Sequence, residues 1–468
     1  MTKLFKRRAD LVLVLLCLAQ FMVILDTTIV NVALPSISAD LGFGSDADLQ
    51  YVISLYALTF GGVLILAGRV ADLVGRRRVF AAGMLMFAAA SLACGLASNP
   101  AVLLAARAAQ GVASAMVSAA ALALLTTLFT EGSARNRALG VWGAVGGAAG
   151  ACGLLLGGVL THALGWPWVF FINLPVGVMV AVAAPRLLPA DRRGATTGGL
   201  DLPGAVTVTA GLALLIFGLT RGEQEGFLTP PVLSMLAAAI ALLVAFIVIE
   251  RHRRAPLVDF RIFRVPGIVA ANTVAVLLTT IVASNLFFTT LSVQQILRFS
   301  PLETGLAFLP NSVLVIVGSA WGSRLVGRTG PGTVIAGGFA VLTIGSLLLT
   351  GISEAGHYVR DVLPGFALTG FGLGLAFVAI TIAATRGIDG RDQGLASGLL
   401  NTAQQIGFGV GIAVVAAAAA SYADSAHGGP GERLIAGYSA GYLIDAILAA
   451  VTAIMAVVLM HPPTRNQP

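Results

Sequence analysis

The sequence predicts an all-α membrane protein of 14 spans: two six-helix bundles with two additional transmembrane helices inserted between them. Three observations predict it. The 468 residues are 57% hydrophobic and only 10% charged, against about 25% charged in soluble domains, and the mean hydropathy is +0.93. Apolar stretches of the roughly 20 residues that a spanning helix needs recur along the whole chain. The breaks between them alternate between rich and poor in basic residues, which is how membrane orientation is written in sequence.

The stretches begin near Leu11, Tyr51, Val79, Ala101, Leu139, Trp168, Leu202, Val232, Ile268, Gly305, Thr333, Val362, Leu395 and Tyr442. The breaks carry charge, proline or glycine, as in Ser98-Asn99-Pro100 and Thr229-Pro230-Pro231. With the N-terminus placed inside, inner segments hold 23 lysines and arginines. Outer segments hold 4 (Arg221, Arg298, Arg360 and Arg433), and Arg107, within a span, completes the 28. The net charge of +7 is therefore a matter of topology, and nucleic acid is not an expected partner. The first run, Leu11 to Leu34, is longer than a signal-peptide core of roughly 7–15 residues, so it reads as an uncleaved span.

Several chemistries are disfavoured. Cys17, Cys94 and Cys152 lie inside apolar runs without ligand spacing, which argues against a disulfide framework or a metal site. No Gly-x-x-x-x-Gly-Lys-[Ser/Thr] segment occurs, which argues against a fused ATP-driven pump. The runs Gly370-Phe371-Gly372-Leu373-Gly374 and Gly407-Phe408-Gly409-Val410-Gly411 fall within spans and read as close helix packing, since a dinucleotide loop needs a preceding strand.

A weak repeat supports the two-bundle organisation. Arg69, Gly75 and Gly83 recur as Arg324, Gly330 and Gly338 at an offset of 255. Parallel repeats are a transporter signature. The expected parts are residues 1–185 as the first bundle, 186–260 as linker and inserted helices, and 261–468 as the second bundle. Pro185 to Asp201 reads as a linker, and Ser421 to Arg433 as a flexible outer loop.

Charges inside spans are costly and informative. Asp26 lies about 22 Å from the inner edge of span 1, and Arg107 about 8 Å from the outer edge of span 4, at about 1.5 Å per residue. In a core of about 30 Å the two share a depth and are placed to pair or to share a cavity; a purely structural ion pair is the alternative. Asp445 is deep if the last helix starts at Ala436 and interfacial if it starts at Tyr442; the interfacial placement is the expectation. At the end of span 2, Gly68-Arg69-Val70-Ala71-Asp72-Leu73-Val74-Gly75-Arg76-Arg77-Arg78 offers a tight glycine turn and a carboxylate suited to a helix N-terminus or an arginine.

That segment resembles the signature loop of the major facilitator superfamily, Gly-x-x-x-Asp-x-x-Gly-Arg-[Arg/Lys]. Leu25-Asp26-Thr27-Thr28-Ile29-Val30-Asn31-Val32-Ala33-Leu34-Pro35 resembles the first-helix motif of its 14-helix drug:proton antiporters, the EmrB/QacA-like branch. Arg107-Ala108-Ala109-Gln110-Gly111 and Phe170-Phe171-Ile172-Asn173-Leu174-Pro175-Val176-Gly177 are similar to further motifs of that branch. Gly153-Leu154-Leu155-Leu156-Gly157-Gly158 resembles the fifth-helix antiporter motif, with Leu154 in place of its proline. Gly165-Trp166-Pro167-Trp168 departs from the usual Gly-Trp-Arg-Trp, and the second-half copy of the signature loop has Gly327 where Asp72 stands.

The resemblance implies a major facilitator fold with a central cavity, alternating access, and export of small lipophilic drugs, antibiotics or related metabolites in exchange for protons. It implies a multi-pass protein of the cell membrane with both termini cytoplasmic, working as a monomer in the lipid bilayer. No cofactor is implied, because the proton gradient supplies the driving force. Asp26 is then the proton-responsive carboxylate and Arg107 tunes it. Gly68, Asp72, Gly75, Arg76 and Arg77 form the inner gate, and Gly150, Gly153, Gly157 and Gly158 let helices slide. Candidate cavity residues are Asn31, Asn285, Phe287, Phe288, Gln294, Asn311, Asn401, Gln404 and Gln405, suited to a neutral, zwitterionic or singly cationic substrate. Proton-coupled uptake of a nutrient uses the same fold, and a non-transporting sensor is the third reading.

The topology is directly testable. Reporter fusions after Ser300 are expected to report outside and fusions after Arg193 inside; opposite results at both points overturn the orientation.

Overall fold

The computed structural model describes residues 2–43, 46–190, 201–226, 228–253, 256, 258, 260–353, 356–390, 392–410, 414–425 and 429–460. Arg192, Arg193, Arg254, Arg391 and Arg465, and most of the expected linker after Pro185, lie outside the described residues. Among the described residues there are helices and no strand. In lipid no water is available to backbone N–H and C=O groups, and a helix satisfies them within one segment.

The chain divides into two compact units. The first comprises Met1–Thr130, Ala149–Ile262 and Ile388–Thr402. It holds α1 (Thr2–Leu41), α2 (Asp46–Val74), α3 (Arg76–Gly95), α4 (Pro100–Leu128) and the second part of α5 (Ser133–Leu164). It continues with α6 (Trp168–Phe171), α7 (Asn173–Leu187), α8 (Leu202–Glu225) and α9 (Pro230–His252). In this unit α4 packs on α2 and α3, α7 on α3 and α1, and the α8–α9 pair leans on α2. The second unit comprises Glu131–Ala148, Phe263–Gly387 and Ala403–Pro468. Its main helices are α10 (Ile268–Leu291), α11 (Pro301–Ala307), α12 (Leu309–Thr329), α13 (Pro331–Leu349) and α14 (Leu363–Thr385). α15 (Gln393–Val410) starts in the first unit and ends in the second, followed by α16 (Ala416–Ser425) and α17 (Pro430–Met460).

Among the described residues, 11 helices are long and apolar enough to cross a membrane, or 12 if the stretches Ser133–Gly150 and Leu155–Leu164 of α5 make one span. α8, with its apolar segment Pro203–Gly218, and the α15–α16 stretch are helical but fall short of that length and composition. Large apolar side chains are exposed on α9 and α17, among them Leu233, Ile240, Val244, Ile447, Ile454 and Val458. Such surfaces suit lipid and not water. The stretch expected as a flexible loop, Ser421 to Arg433, is helical at both ends, through Ser425 and again from Pro430. Pro430 fits the first turn of a helix, and Glu432 accepts the Gly429 N–H at 2.9 Å.

The sequence repeat has a structural counterpart in each unit. Gly75 (φ 119°) turns the chain from α2 into α3, and Gly330 (φ 82°) turns it from α12 into α13. Both occupy a region that side chains other than glycine enter at a cost. Gly83 then faces Ala113, Met116 and Val117 of α4, and Gly338 faces Gly372 and Ala376 of α14.

Small residues set the helix spacing. Lipid tails are as apolar as leucine, so helices gain little from hydrophobic burial and rely on close packing. A Cβ on Gly372 would stand 2.7 Å from the Gly338 carbonyl oxygen, and one on Gly338 2.9 Å from that of Gly372. Gly345 and Gly365 repeat the arrangement at 2.8 and 2.7 Å. Gly370 and Gly374 face the backbone of α12, and Gly407 that of α10 at Val276, so these glycines pack helices. Gly372→Ala is expected to force α13 from α14 and to cost about 1–3 kcal/mol. Gly337→Ala, with nothing within 4 Å of its Cβ, is expected to be neutral or slightly stabilising. Thermal unfolding of the purified variants in detergent distinguishes the two.

Candidate functional site: a buried ion pair and a carboxylate clasp

Asp26 and Arg107 meet. Arg107 Nη1 donates to Asp26 Oδ2 at 2.5 Å. The side chains are 0% and 1% exposed. Asp26 Oδ1 accepts from Gln110 Nε2 and from Asn173 Nδ2, both at 2.8 Å. Arg107 also donates from Nε to the Val52 carbonyl at 2.9 Å and from Nη1 to Gln110 Oε1 at 2.7 Å. Its guanidinium lies 4.4 Å from the centroid of the Tyr56 ring, an attractive cation–π placement. The Tyr56 hydroxyl donates to Ser114 Oγ at 2.8 Å, and Ser91 Oγ accepts from Gln110 and Asn173. The cluster ties α1, α2, α3, α4 and α7 together.

The helical register makes this possible. Arg107 and Gln110 are three residues apart and so share a face of α4, and Asn173 begins α7 as it leaves the aromatic turn of α6. An ionised carboxylate only accepts hydrogen bonds, and Asp26 receives three donors, one of them cationic. Sequence reasoning found Asp26 and Arg107 through their charge and missed Gln110, Asn173 and Ser91 as partners. Their signal was the polar side chain three residues after a buried arginine, and an asparagine in an otherwise apolar run.

The second constellation surrounds Asp72. Arg76 donates to Asp72 Oδ1 from Nε at 2.9 Å and from Nη2 at 2.6 Å. Asp72 also accepts the first N–H groups of α15, Gly394 at 3.2 Å on Oδ1 and Leu395 at 3.1 Å on Oδ2. A carboxylate at a helix N-terminus answers both its orphan donors and its dipole. Arg76 reaches on to the Gly390 carbonyl and to Thr127 Oγ1, and Arg77 to the Pro185 carbonyl at 3.4 Å. Gly68 admits α15, since a Cβ there would meet the Gly394 carbonyl, and a Cβ on Gly394 would meet Asp72 itself.

The glycines of the α5 motif divide. A Cβ on Gly153 would collide with Thr28, and one on Gly157 would lie 2.7 Å from the Ile29 carbonyl oxygen. Both therefore admit α1 next to Asp26. Gly158 meets only Val32 at 3.9 Å, and Gly150 meets nothing within 4 Å.

The candidate cavity residues are divided between the two units, Asn31 and Asn401 in the first and the others in the second. Asn31 is exposed and bonds back to the Thr27 carbonyl. Asn285 is buried and donates to Ser346 Oγ at 3.2 Å. Asn311 donates to the Phe366 carbonyl at 2.6 Å and so joins α12 to α14. Asn401 bonds back to the Ser397 carbonyl. Phe288 is buried against Tyr438 and Tyr442, and Phe287 lies edge-on to Phe288. Gln294, Gln404 and Gln405 are half-buried. Asp445 differs from its interfacial expectation. Because α17 starts at Pro430, Asp445 sits at mid-helix and is 0% exposed.

An all-helical protein with 11 or more membrane-length helices, a buried ion pair and a carboxylate–helix clasp is built as a membrane transporter. The chain belongs to the Major Facilitator Superfamily, whose profile matches residues 16–412, and it is a transporter and not an enzyme. It is 40% identical over 470 residues to the puromycin resistance protein pur8 of Streptomyces alboniger, covering 97% of this chain and 91% of the relative. The cephamycin export protein CmcT of Amycolatopsis lactamdurans is 38% identical over 97% of this chain and 92% of its own length. The lincomycin resistance protein of Streptomyces lincolnensis is 34% identical over the same shares, 97% and 92%. Two solved structures share the fold. The human organic anion transporter MFSD10 (TETRAN) has a TM-score of 0.68 at 17% identity, covering 96% of this chain and 99% of that one. The proton:xylose symporter XylE also has a TM-score of 0.68, at 13% identity, covering 97% and 96%.

The clasp makes a testable distinction between a latch and a binding site. Asp72→Asn keeps the size of the side chain but surrenders the charge shared by Arg76 and the α15 amides. It is expected to cut transport in proteoliposomes while leaving substrate affinity in detergent nearly intact. A large affinity loss with normal turnover contradicts the latch.

Proposed function

We propose that the protein exports small lipophilic drugs, antibiotics or related metabolites across the cell membrane in exchange for protons. Similarity along nearly the whole chain to proteins named for antibiotic export or resistance carries this reading. In it the chain crosses the membrane 14 times with both termini cytoplasmic, and α8 and the α15–α16 stretch are spans despite their modest hydropathy. The working unit is a monomer.

Asp26 is the proton-responsive group of the proposal. In the conformation described it is sealed from solvent and accepts from Arg107, Gln110 and Asn173. A proton can reach it only when the helices around it part, and protonation removes the charge that holds Arg107. Coupling follows, because the state that admits the proton differs from the state that excludes it. Substrate binding must favour the excluded state for the two to exchange. The Asp72–Arg76 clasp on α15 stabilises one conformation against the other. A purely structural role for the Asp26–Arg107 pair is the rival, for which loss of either partner chiefly costs folded protein, about 3–5 kcal/mol for a broken buried pair.

The test uses puromycin, named in one relative, as probe in proteoliposomes. Antiport predicts accumulation when the lumen is acid, and symport predicts accumulation under the reverse gradient. Asp26→Asn is expected to abolish accumulation while some downhill exchange persists, and to release fewer protons than the parent when puromycin is added in weak buffer. Equal proton release by well-folded Asp26→Asn removes Asp26 as the coupling site.

A further inference from the structure

Asp445 is the second fully buried carboxylate of the membrane region, and its surroundings are unlike those of Asp26. It stands midway along α17, 15 residues from either end, or about 22 Å from each terminus of the helix at about 1.5 Å per residue. Its side chain is 0% exposed. Ser284 of α10 bonds to Oδ1, and Oδ2 has no hydrogen-bond partner. The Asn285 side chain lies within donating reach of the carboxyl group; its amide nitrogen also donates to Ser346 Oγ at 3.2 Å, and its Oδ1 is without a partner. Asp445 Oδ2 and Asn285 Oδ1 are thus both buried acceptors without a hydrogen-bond partner.

Among the described residues no cation pairs with the carboxylate. The elements packed on α17 are α10, α13, α16 and the turn Ser292–Ile296, and none contains Lys, Arg or His. Their titratable residues are Tyr422 and Asp424 of α16, and Tyr422 is exposed. On α17 itself, Tyr442 is engaged with Thr289 and Ser292, and Tyr438 with Gln295. Glu432 and Arg433 lie more than three helical turns away. A carboxylate taken out of water without a counter-charge or a full set of donors takes up a proton in preference to staying ionised.

We infer that Asp445 is a proton-binding site of the second unit, held in this conformation as a neutral carboxylic acid whose O–H serves the Ser284–Asn285 pocket. One added hydrogen on Oδ2 removes the charge that no neighbouring cation answers and leaves no orphaned carboxylate oxygen. Asp26 and Asp445 then have opposite surroundings, the first held by Arg107 and the second by no cation. Resting on the proton-driven reading, Asp445 is a second carrier whose proton leaves when water enters between α10 and α17.

The experiment is infrared spectroscopy of the full-length protein in detergent at neutral pH, with and without aspartate labelled with carbon-13 at its carboxyl. A carboxylic C=O band that shifts on labelling is expected in the parent and in Asp26→Asn and is expected to be lost in Asp445→Asn. Where Asp445→Asn fails to fold, Asp445→Glu is expected to move the band out of the labelled position. A band unchanged in Asp445→Asn, or absent from the parent because the Asn285 amide is turned over onto an ionised Asp445, overturns the inference. In proteoliposomes, gradient-driven puromycin accumulation is expected to fall about tenfold or more in Asp445→Asn while some exchange persists; accumulation at the parental rate removes its role as a carrier. A parent indifferent to the pH gradient removes the proton-driven reading instead, and the infrared band still decides the state of Asp445.

Discussion

In the hydrocarbon core nothing dissolves a polar group except the protein itself, and nothing drives one apolar helix onto another except close fit. The features singled out above answer one or the other half of that constraint. The reciprocal contacts of Gly338 with Gly372 and of Gly345 with Gly365 bring two backbones together where leucines on both helices would hold them apart. The Asp26 cluster answers the other half. Three donors meet one carboxylate, and the arginine that neutralises it is itself held by a carbonyl, an amide oxygen and an aromatic face.

The two buried aspartates solve the same problem in opposite ways. Asp26 is met by a cation and an amide from α4 and by an amide from α7. Asp445 has serine, asparagine and tyrosine for neighbours, none of which carries a positive charge. The difference lies wholly in what the packed helices bring, since the acid is the same. A transporter that exchanges protons needs carboxyl groups whose surroundings change between conformations, and a group with few bonds to break changes state with less rearrangement than one with many.

Much of the architecture was legible because the bilayer imposes a simple code. Apolar length marked the helices, and a matched triplet of arginine and two glycines marked the repeat that Gly75 and Gly330 realise as paired turns. The meeting of Asp26 and Arg107 followed from counting helical rise from opposite ends of two antiparallel spans. What failed to show had identifiable causes. Gln110 and Asn173 stood in recognisable motifs, but an amide has no formal charge to demand a partner, and the reading of the spans turned on charge. The interfacial expectation for Asp445 takes the last helix from Tyr442, whereas Pro430 and Glu432 start it 12 residues earlier. The partner of Asp72 is an N-terminus more than 300 residues away, and a backbone amide has no letter in the sequence.

That last point bears on how the clasp tolerates mutation. One side of it is a carboxylate, which any substitution at Asp72 alters. The other side is main chain, which every residue except proline supplies alike. Random change along the first turn of α15 therefore leaves the donors in place and acts only through bulk, as at Gly394, where a side chain would press on Asp72. The contact is fragile from α2 and robust from α15. Genetic screens for lost transport should collect hits unevenly across a contact to which both helices contribute in equal measure.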